Sequence, residues 1–115
     1  MVIRKGSVYW VDFSQSKGSE PMGRRPGLVV QNDLLNDSKL NTVIVVAITS
    51  TLKFGELPGN VILQQGEANL PKRSVVNMAQ IKTVDKGSLR ETIGSITRER
   101  ISEVYEGMKL VMDIP

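Results

Sequence analysis

The sequence predicts one small domain of the β-rich α+β class, spanning residues 1–115, with a curved or barrel-like sheet and a C-terminal helix. Its length of 115 residues suits a single compact domain. Short runs rich in β-branched residues recur along most of the chain, and long loops separate them, which is typical of curved or barrel-like sheets. Only the last segment changes to the apolar spacing of a helix.

The strands are predicted from apolar runs that are bounded by turn residues. "SVYWVDF" at Ser7–Phe13 is apolar on both alternating sides, which predicts a strand buried on both faces. "TVIVVAITS" at Thr42–Ser50 has the strongest strand character, and its continuous β-branched run predicts a central position in the sheet. The remaining strands are predicted at Leu28–Gln31, Asn60–Gln64, Ser74–Met78 and Ala79–Asp85.

The C-terminal helix is predicted from apolar residues that recur at helical spacing. They are Ile101, Val104, Tyr105, Met108, Val111 and Met112. Thr97 is a suitable N-cap, and Glu99 lies in the first turn, where the helix dipole favours an acidic residue. The end of the helix, "LVMDIP", is apolar around much of its circumference, which fits either the core or a subunit contact.

The composition excludes several classes of function. The sequence has no cysteine and no histidine, so thiolate chemistry and zinc sites built from these residues are excluded. The usual acid–base residue of neutral pH is also missing, so catalysis must use other side chains. No N-terminal run suits a signal peptide, and no apolar segment approaches the ~20 residues of a membrane span. We therefore expect a cytoplasmic protein without membrane contact.

Positive charge is concentrated in two parts of the chain. The net charge is +3. Residues 1–31 contain five basic and two acidic residues, and residues 72–90 contain five basic residues and one acidic residue. These two regions fit either one face that binds a polyanion or an ordinary solvated surface without a partner.

A charged segment, "GSEPMGRRPG" at residues 18–27, lies in the predicted connection between the first two strands. Pro26 favours an extended conformation at Arg25, which holds that arginine at the mouth of the following strand. The guanidinium group has a planar fork of donors that suits a phosphate or a carboxylate. Arg25 therefore fits either an anion-binding role or a salt bridge to Glu20 or another acidic residue.

Four segments of the sequence resemble, in order, the MazF/PemK family of toxin ribonucleases. They are "KGSVYWVDF", "KGSEPMGRRPGLVVQND", "VIVVAIT" and "AQIKTVDK", and they extend from Lys5 to Lys86. The resemblance implies an SH3-like β-barrel with helices that forms a homodimer. It also implies an endoribonuclease, an mRNA interferase that cuts single-stranded RNA without a metal or cofactor. A cognate antitoxin would neutralise it, as in type II toxin–antitoxin systems.

The resemblance also assigns site residues. The family's key arginine and threonine, its loop serine and glutamate, and its late-strand glutamine fall on Arg25, Thr49, Ser19, Glu20 and Gln80. Many relatives carry an acidic residue just before the glutamine, where this sequence has Ala79. Any role of that acid in base recognition or proton transfer is therefore missing or reassigned here.

The chemistry of RNA cleavage agrees with these assignments. Arg25 suits stabilisation of the charged phosphate, because a guanidinium group is a permanent cation and therefore a poor base. Glu20 is the candidate base, with orientation of Arg25 as its alternative role. Thr49 suits a hydrogen bond to a phosphate oxygen or the 2′-hydroxyl, although it also fits an ordinary strand-end threonine.

Substrate binding is predicted from cations, amides and one loop aromatic. The predicted set is Lys17, Ser19, Arg24, Phe54 and Gln80. Phe54 follows the strand of Thr49 and fits either stacking on a base or folding back over the core. Tyr9, Trp10 and Phe13 are predicted to lie in the core.

Two other classes of function fit a barrel of this kind. One is a CcdB-like toxin that poisons DNA gyrase without cutting RNA, and the other is a barrel that binds nucleic acid without chemistry. A gyrase binder has no need of Arg25, so the arginine–threonine pair favours the ribonuclease.

Overall fold

The structure is a computed structural model that describes residues 2–13 and 23–115. The described residues form a six-stranded antiparallel sheet and two α-helices. The strands are β1 (Ser7–Phe13), β2 (Gly23–Val29), β3 (Thr42–Thr49), β4 (Val61–Leu63), β5 (Ser74–Asp85) and β6 (Leu89–Ser95). The α-helices are α1 (Asp33–Asn36) and α2 (Arg98–Met112). Short 3₁₀ helices occupy Leu52–Glu56, Glu67–Asn69 and Lys86–Ser88.

The predicted β-rich α+β class is confirmed. The strands pair in the order β4-β5-β3-β2-β1-β6, and the sheet curls into a half-barrel. β3 lies between β2 and β5, as its continuous apolar run predicts. Because of the curl, each face of the sheet covers a separate core, and α2 packs on one of them.

β1 shows how one strand contributes to both cores. Val8 belongs to the core under α2, whereas Tyr9, Val11 and Phe13 belong to the core on the other face. The prediction that this strand is buried on both faces is therefore confirmed for these four residues. Trp10 is the exception, since it is only partly buried.

Three strands, β2, β5 and β6, differ from the sequence-based prediction. β2 begins at Gly23, so Arg24 and Arg25 lie within a strand rather than in a loop. They pair with Asp12 and Val11 of β1, and this pairing supplies strand geometry that the local sequence does not indicate. The two strands predicted at residues 74–85 are one strand, β5. β6 was not predicted, because "LRETIGS" lacks a regular apolar alternation and is largely exposed at the edge of the sheet.

The C-terminal helix begins and ends close to the predicted positions. The side chain of Thr97 accepts a hydrogen bond from the backbone N–H of Arg100, which confirms the N-cap. The hydroxyl of Tyr105 donates to the carbonyl of Val30 and fastens the helix to the sheet. The sequence left open whether the apolar C-terminal end of the helix lies in the core or in a subunit contact. Its four apolar residues are exposed, so they do not belong to the core of this chain: Leu110, Val111, Met112 and Ile114. No helix in the described ranges is long and apolar enough to cross a membrane.

A bidentate ion pair connects α2 to the segment before β5. Arg100 donates from Nε and one terminal nitrogen to both carboxylate oxygens of Glu67, at 2.9 and 2.8 Å. These hydrogen bonds lower the pKa of the Glu67 carboxyl below its ordinary value of 4.5. The pair therefore stabilises the fold above pH 4.5, and its contribution is lost as the pH falls through the lowered folded-state pKa.

The Glu67→Gln variant is expected to be less stable than the wild type by about 1–2 kcal/mol at pH 7, because it loses two charge-assisted hydrogen bonds. The difference should disappear in acid, where Glu67 is protonated in both states. Urea unfolding at a series of pH values measures it. Glu103→Gln removes the same charge from a half-exposed partner of Arg100 and should have a smaller effect. An equal loss in both variants, or no pH dependence, would contradict the prediction.

Candidate active site

A cleft of about 700 Å³ opens at the end of the sheet where β2 begins and β3 ends. Five of the predicted site residues line it: Arg24, Arg25, Thr49, Phe54 and Gln80. The other predicted site residues, Lys17, Ser19 and Glu20, lie outside the described residues. The structure thus gathers, at one place, predicted residues from β2, β3, β5 and the loop after β3.

β2 and β3 bring Arg25 and Thr49 to the same end of the sheet. The two strands are antiparallel, and their pairing ends at Gly27 and Ala47. Arg25 lies two residues before Gly27, and Thr49 lies two residues after Ala47, so both lie beyond the last pair at the same end of the strands. Both residues line the cleft. A cation and a hydroxyl group therefore border one cleft.

Arg25 is available to an anion in the described part of the structure. Its side chain is exposed, and no carboxylate of residues 2–13 or 23–115 forms an ion pair with it. Arg24 differs, because one of its terminal nitrogens lies 3.8 Å from the carboxylate of Glu91. Of the two neighbouring arginines, Arg25 thus has the freer guanidinium group.

Thr49 ends β3 and keeps one hydrogen-bonding function unused. Its Oγ1 accepts a hydrogen bond from the backbone N–H of Thr51 at 3.1 Å, where the chain turns out of the strand. That bond uses an oxygen lone pair and leaves the hydroxyl hydrogen to donate. Thr49 can therefore donate to an anion beside Arg25 while its position is held by the turn.

A large bulge in β5 lies next to the cleft and carries Gln80. β3 pairs Val46 with Ile81 and Ile48 with Val76, so residues 77–80 all lie opposite Ala47 alone. Such a bulge bends a strand and re-aims its side chains. Ala79 and Gln80 both line the cleft, and Ala79 presents only a methyl group there.

The cleft is cationic in the part of the chain that the structure describes. Arg24, Arg25 and Lys72 line it, and no described Asp or Glu does. Lys72 comes from the second basic region of the sequence, so the two basic regions meet at this cleft. The ammonium of Lys53 lies 5.6 Å from the ring centroid of Phe54, which adds a further cation at the rim. This arrangement favours a polyanionic ligand over an unpartnered solvated surface.

Trp10 is a cleft residue that the sequence did not reveal. It was predicted to lie in the core, but it is partly exposed and lines the cleft beside its pairing partner Pro26. Both sides of β1 are apolar, so alternation alone could not separate a core residue from a cleft residue. Tyr9 and Phe13 are buried, as predicted.

Comparisons with known proteins agree with this fold. The chain is 40% identical over 114 residues to the endoribonuclease MazF6 of Mycobacterium tuberculosis, covering 99% of this chain and 100% of the relative. It is 34% identical over 113 residues to the endoribonuclease MazF of Staphylococcus saprophyticus, covering 98% and 93%. The crystal structure of MazF from Deinococcus radiodurans superposes with a TM-score of 0.80 at 25% identity, with 98% of each chain covered.

A further structure, that of a mycobacterial endoribonuclease in complex with its cognate antitoxin, superposes with a TM-score of 0.74 at 22% identity, covering 99% of this chain and 96% of the other. The family model that describes the PemK-like, MazF-like toxin of type II toxin–antitoxin systems matches residues 4–112. The match spans nearly the whole chain, including β1 to β6 and α2. The chain therefore belongs to the PemK-like, MazF-like toxin family.

Proposed function

We propose that this protein is the endoribonuclease toxin of a type II toxin–antitoxin system, which cuts single-stranded RNA, including mRNA, at specific sequences without a metal ion. The observation that supports the proposal is the cationic cleft, which both Arg25 and Thr49 line. The curated relatives at 34–40% identity are named endoribonucleases, which supports the same activity.

The proposed reaction uses the nucleophile that RNA itself carries. The 2′-oxygen attacks the adjacent phosphorus, the bond from phosphorus to the 5′-oxygen breaks, and the products are a 2′,3′-cyclic phosphate and a 5′-hydroxyl. The site must accept the 2′ proton, stabilise the added negative charge on the phosphate and supply a proton to the leaving oxygen. No water and no metal ion is consumed in this step.

The described residues suit the second of these tasks best. The fixed cation of Arg25 stabilises charge that develops on the phosphate, and it can also donate toward the leaving oxygen. The free hydroxyl hydrogen of Thr49 donates to a phosphate oxygen or holds the 2′-hydroxyl. Glu20 is proposed as the base. An acidic limb in the pH–rate profile that is lost in Glu20→Gln would support it, and a profile without that limb would remove it.

The test is cleavage of a mixed-sequence single-stranded RNA in EDTA, with DNA of matched sequence and the Arg25→Ala variant as controls. Cleavage of RNA only, retained in EDTA and lost in the variant, is the expected result, and mapping the ends gives the target sequence. RNA binding without cleavage by the folded, antitoxin-free wild type would favour a binding-only barrel. Neither binding nor cleavage would favour a gyrase-type toxin.

Trp10 is the only tryptophan in the sequence, so its emission reports on the cleft. We expect single-stranded 2′-O-methyl RNA, which cannot be cut, to change this emission and to reduce its quenching by acrylamide. Trp10→Ala should weaken RNA binding by about 1–3 kcal/mol, because a stacking surface is lost, and Trp10→Phe should weaken it less. Anisotropy-detected binding with unchanged Trp10 emission would contradict this assignment.

We also propose that the toxin acts in the cytoplasm as a homodimer, contacts no membrane and is neutralised by an acidic, disordered segment of an antitoxin that covers the cationic cleft. The exposed apolar end of α2 supports the dimer, because such a surface is favourable when it is covered. Sedimentation of the isolated protein at micromolar concentration should give twice the chain mass. A monomer under these conditions would remove the dimer from the proposal.

A further inference from the structure

Two asparagine side chains connect opposite walls of the cleft. Asn77 lies in the β5 bulge and is buried, with 8% of its surface exposed. Asn60 lies just before β4, at the end of the Phe54 loop (residues 51–59). Asn60 Nδ2 donates to Asn77 Oδ1 at 3.3 Å, so the two amides form a direct bridge, the Asn60–Asn77 bridge.

Asn60 binds the backbone of both walls, and Asn77 binds the backbone of the bulge. Asn60 Nδ2 also donates to the carbonyl of Phe54 at 2.9 Å, which holds the loop. Asn60 Oδ1 accepts from the N–H of Met78 at 2.8 Å, and Asn77 Oδ1 accepts from the N–H of Ala79 at 3.2 Å. Met78 and Ala79 lie between Val76 and Ile81, which keep their β3 partners, and the two side-chain oxygens bind the backbone N–H groups of these bulge residues.

The walls that the bridge joins are those that carry two predicted substrate-binding residues. Phe54 and Gln80 both line the cleft, Phe54 from the loop and Gln80 from the bulge. Asn77 lines the cleft as well, whereas Asn60 does not belong to the lining. An effect of Asn60 on a bound RNA must therefore act through other residues.

We propose that Asn60 is a positioning residue for substrate recognition. Through its bonds to the carbonyl of Phe54 and to the N–H of Met78, it sets the separation of the Phe54 loop from the β5 bulge, and thereby the width of the space in which bases are read. The proposal rests on the proposed ribonuclease function for the meaning of the cleft, but the coupling of the two walls is a property of the fold. A displacement of a bound substrate by about 1 Å can lower its rate of reaction by up to about 10²-fold.

The chain offers a matched control at the opposite end of β2 and β3. Asn36 is equally buried, at 7% exposure, and exchanges amide hydrogen bonds with Gln31. Asn36→Ala therefore removes a comparable buried amide that does not line the cleft. Asn77→Asp is the conservative variant, because both hydrogen bonds of Asn77 in the bridge use Oδ1 as an acceptor.

The first measurement is hydrogen exchange, which does not depend on activity. Asn60→Ala is expected to raise exchange by about fivefold in both residues 52–57 and residues 77–80, since it removes a hydrogen bond to the backbone of each segment. Asn77→Ala is expected to raise exchange in residues 77–80, and Asn36→Ala should leave both segments unchanged. If Asn60→Ala loosens only one of the two segments, the coupling of the walls is wrong.

The second measurement is the ratio of kcat/KM for the preferred RNA to kcat/KM for RNAs with one base changed. Asn60→Ala is expected to lower this ratio about tenfold, mainly through the preferred RNA, and Asn77→Asp to restore most of what Asn77→Ala loses. Asn36→Ala should keep the wild-type ratio of kcat/KM values even if it loses as much thermal stability as Asn60→Ala. Loosened walls with an unchanged ratio would overturn the role in recognition. A wild type that cuts no RNA would overturn the proposed function, while the exchange result would still decide the coupling.

Discussion

Arg25→Ala is expected to lower kcat by about 10²–10³-fold, the largest effect of any single substitution on cleavage. The reason is the position of the side chain. Arg25 is exposed and lines the cleft together with Thr49, and no described carboxylate forms an ion pair with it. Single-turnover cleavage of the mapped target RNA measures the loss without interference from product release. Arg25→Lys keeps the charge without the planar fork and should recover only part of the rate.

Arg24→Ala is the matched control for Arg25→Ala, because it removes the same charge from the neighbouring residue of the same strand. Arg24 faces Glu91, so we expect a rise in KM of about fivefold with kcat nearly unchanged. The two variants should also retain the same thermal stability, since both side chains are exposed. Equal losses of kcat in both variants would mean that the cleft needs only net positive charge, and the specific role of Arg25 would be abandoned.

Gly107→Ala is expected to destabilise the fold by about 1–3 kcal/mol, although glycine to alanine inside a helix normally stabilises by about 1 kcal/mol. A Cβ atom at Gly107 would overlap the carbonyl oxygen of Gly59, so α2 and the Phe54 loop must separate. The obstructing atoms belong to the backbone of Gly59, not to the end of a flexible side chain. Denaturant unfolding of the wild type and the variant measures the difference.

Gly87→Ala is the control for this prediction. A Cβ atom added at Gly87 would meet no atom within 4 Å, and Gly87 has no positive φ, so the substitution should be neutral or slightly stabilising. Gly59 is followed by Asn60, so Gly107→Ala should also disturb the cleft and lower kcat/KM. A Gly107→Ala variant as stable as Gly87→Ala would show that the helix can move without cost.

The sequence was sufficient for the elements that carry their own signal. β1, β3 and α2 have dense β-branched runs or a clear helical period, and they lie where they were predicted. The start of β2 was not predictable, because Gly23 to Pro26 reads as a turn and becomes a strand only through its pairing with β1. β6 is formed in the same way, with one edge against β1 and little apolar character of its own.

The site was predictable only in part, for a similar reason. Arg25, Thr49 and Gln80 were identified through the resemblance, and the structure places all three at one cleft. Trp10 was assigned to the core, since a strand that is apolar on both sides does not show which residue borders an opening. The Asn60–Asn77 bridge joins residues 17 positions apart, and the sequence predicted both asparagines only as members of two separate strands.

The bulge in β5 also bears on how specificity changes during evolution. A regular strand cannot gain or lose one residue without turning its remaining side chains to the opposite face. Here Val76 and Ile81 keep their β3 partners on either side of the bulge. Within the bulge Met78 belongs to the core, whereas Ala79 is exposed and Gln80 is partly exposed. In the proposed ribonuclease, substitutions at Ala79 and Gln80 alter which bases the cleft accepts while the paired positions stay as they are. A change of target sequence thus has a place in the chain where it costs little stability.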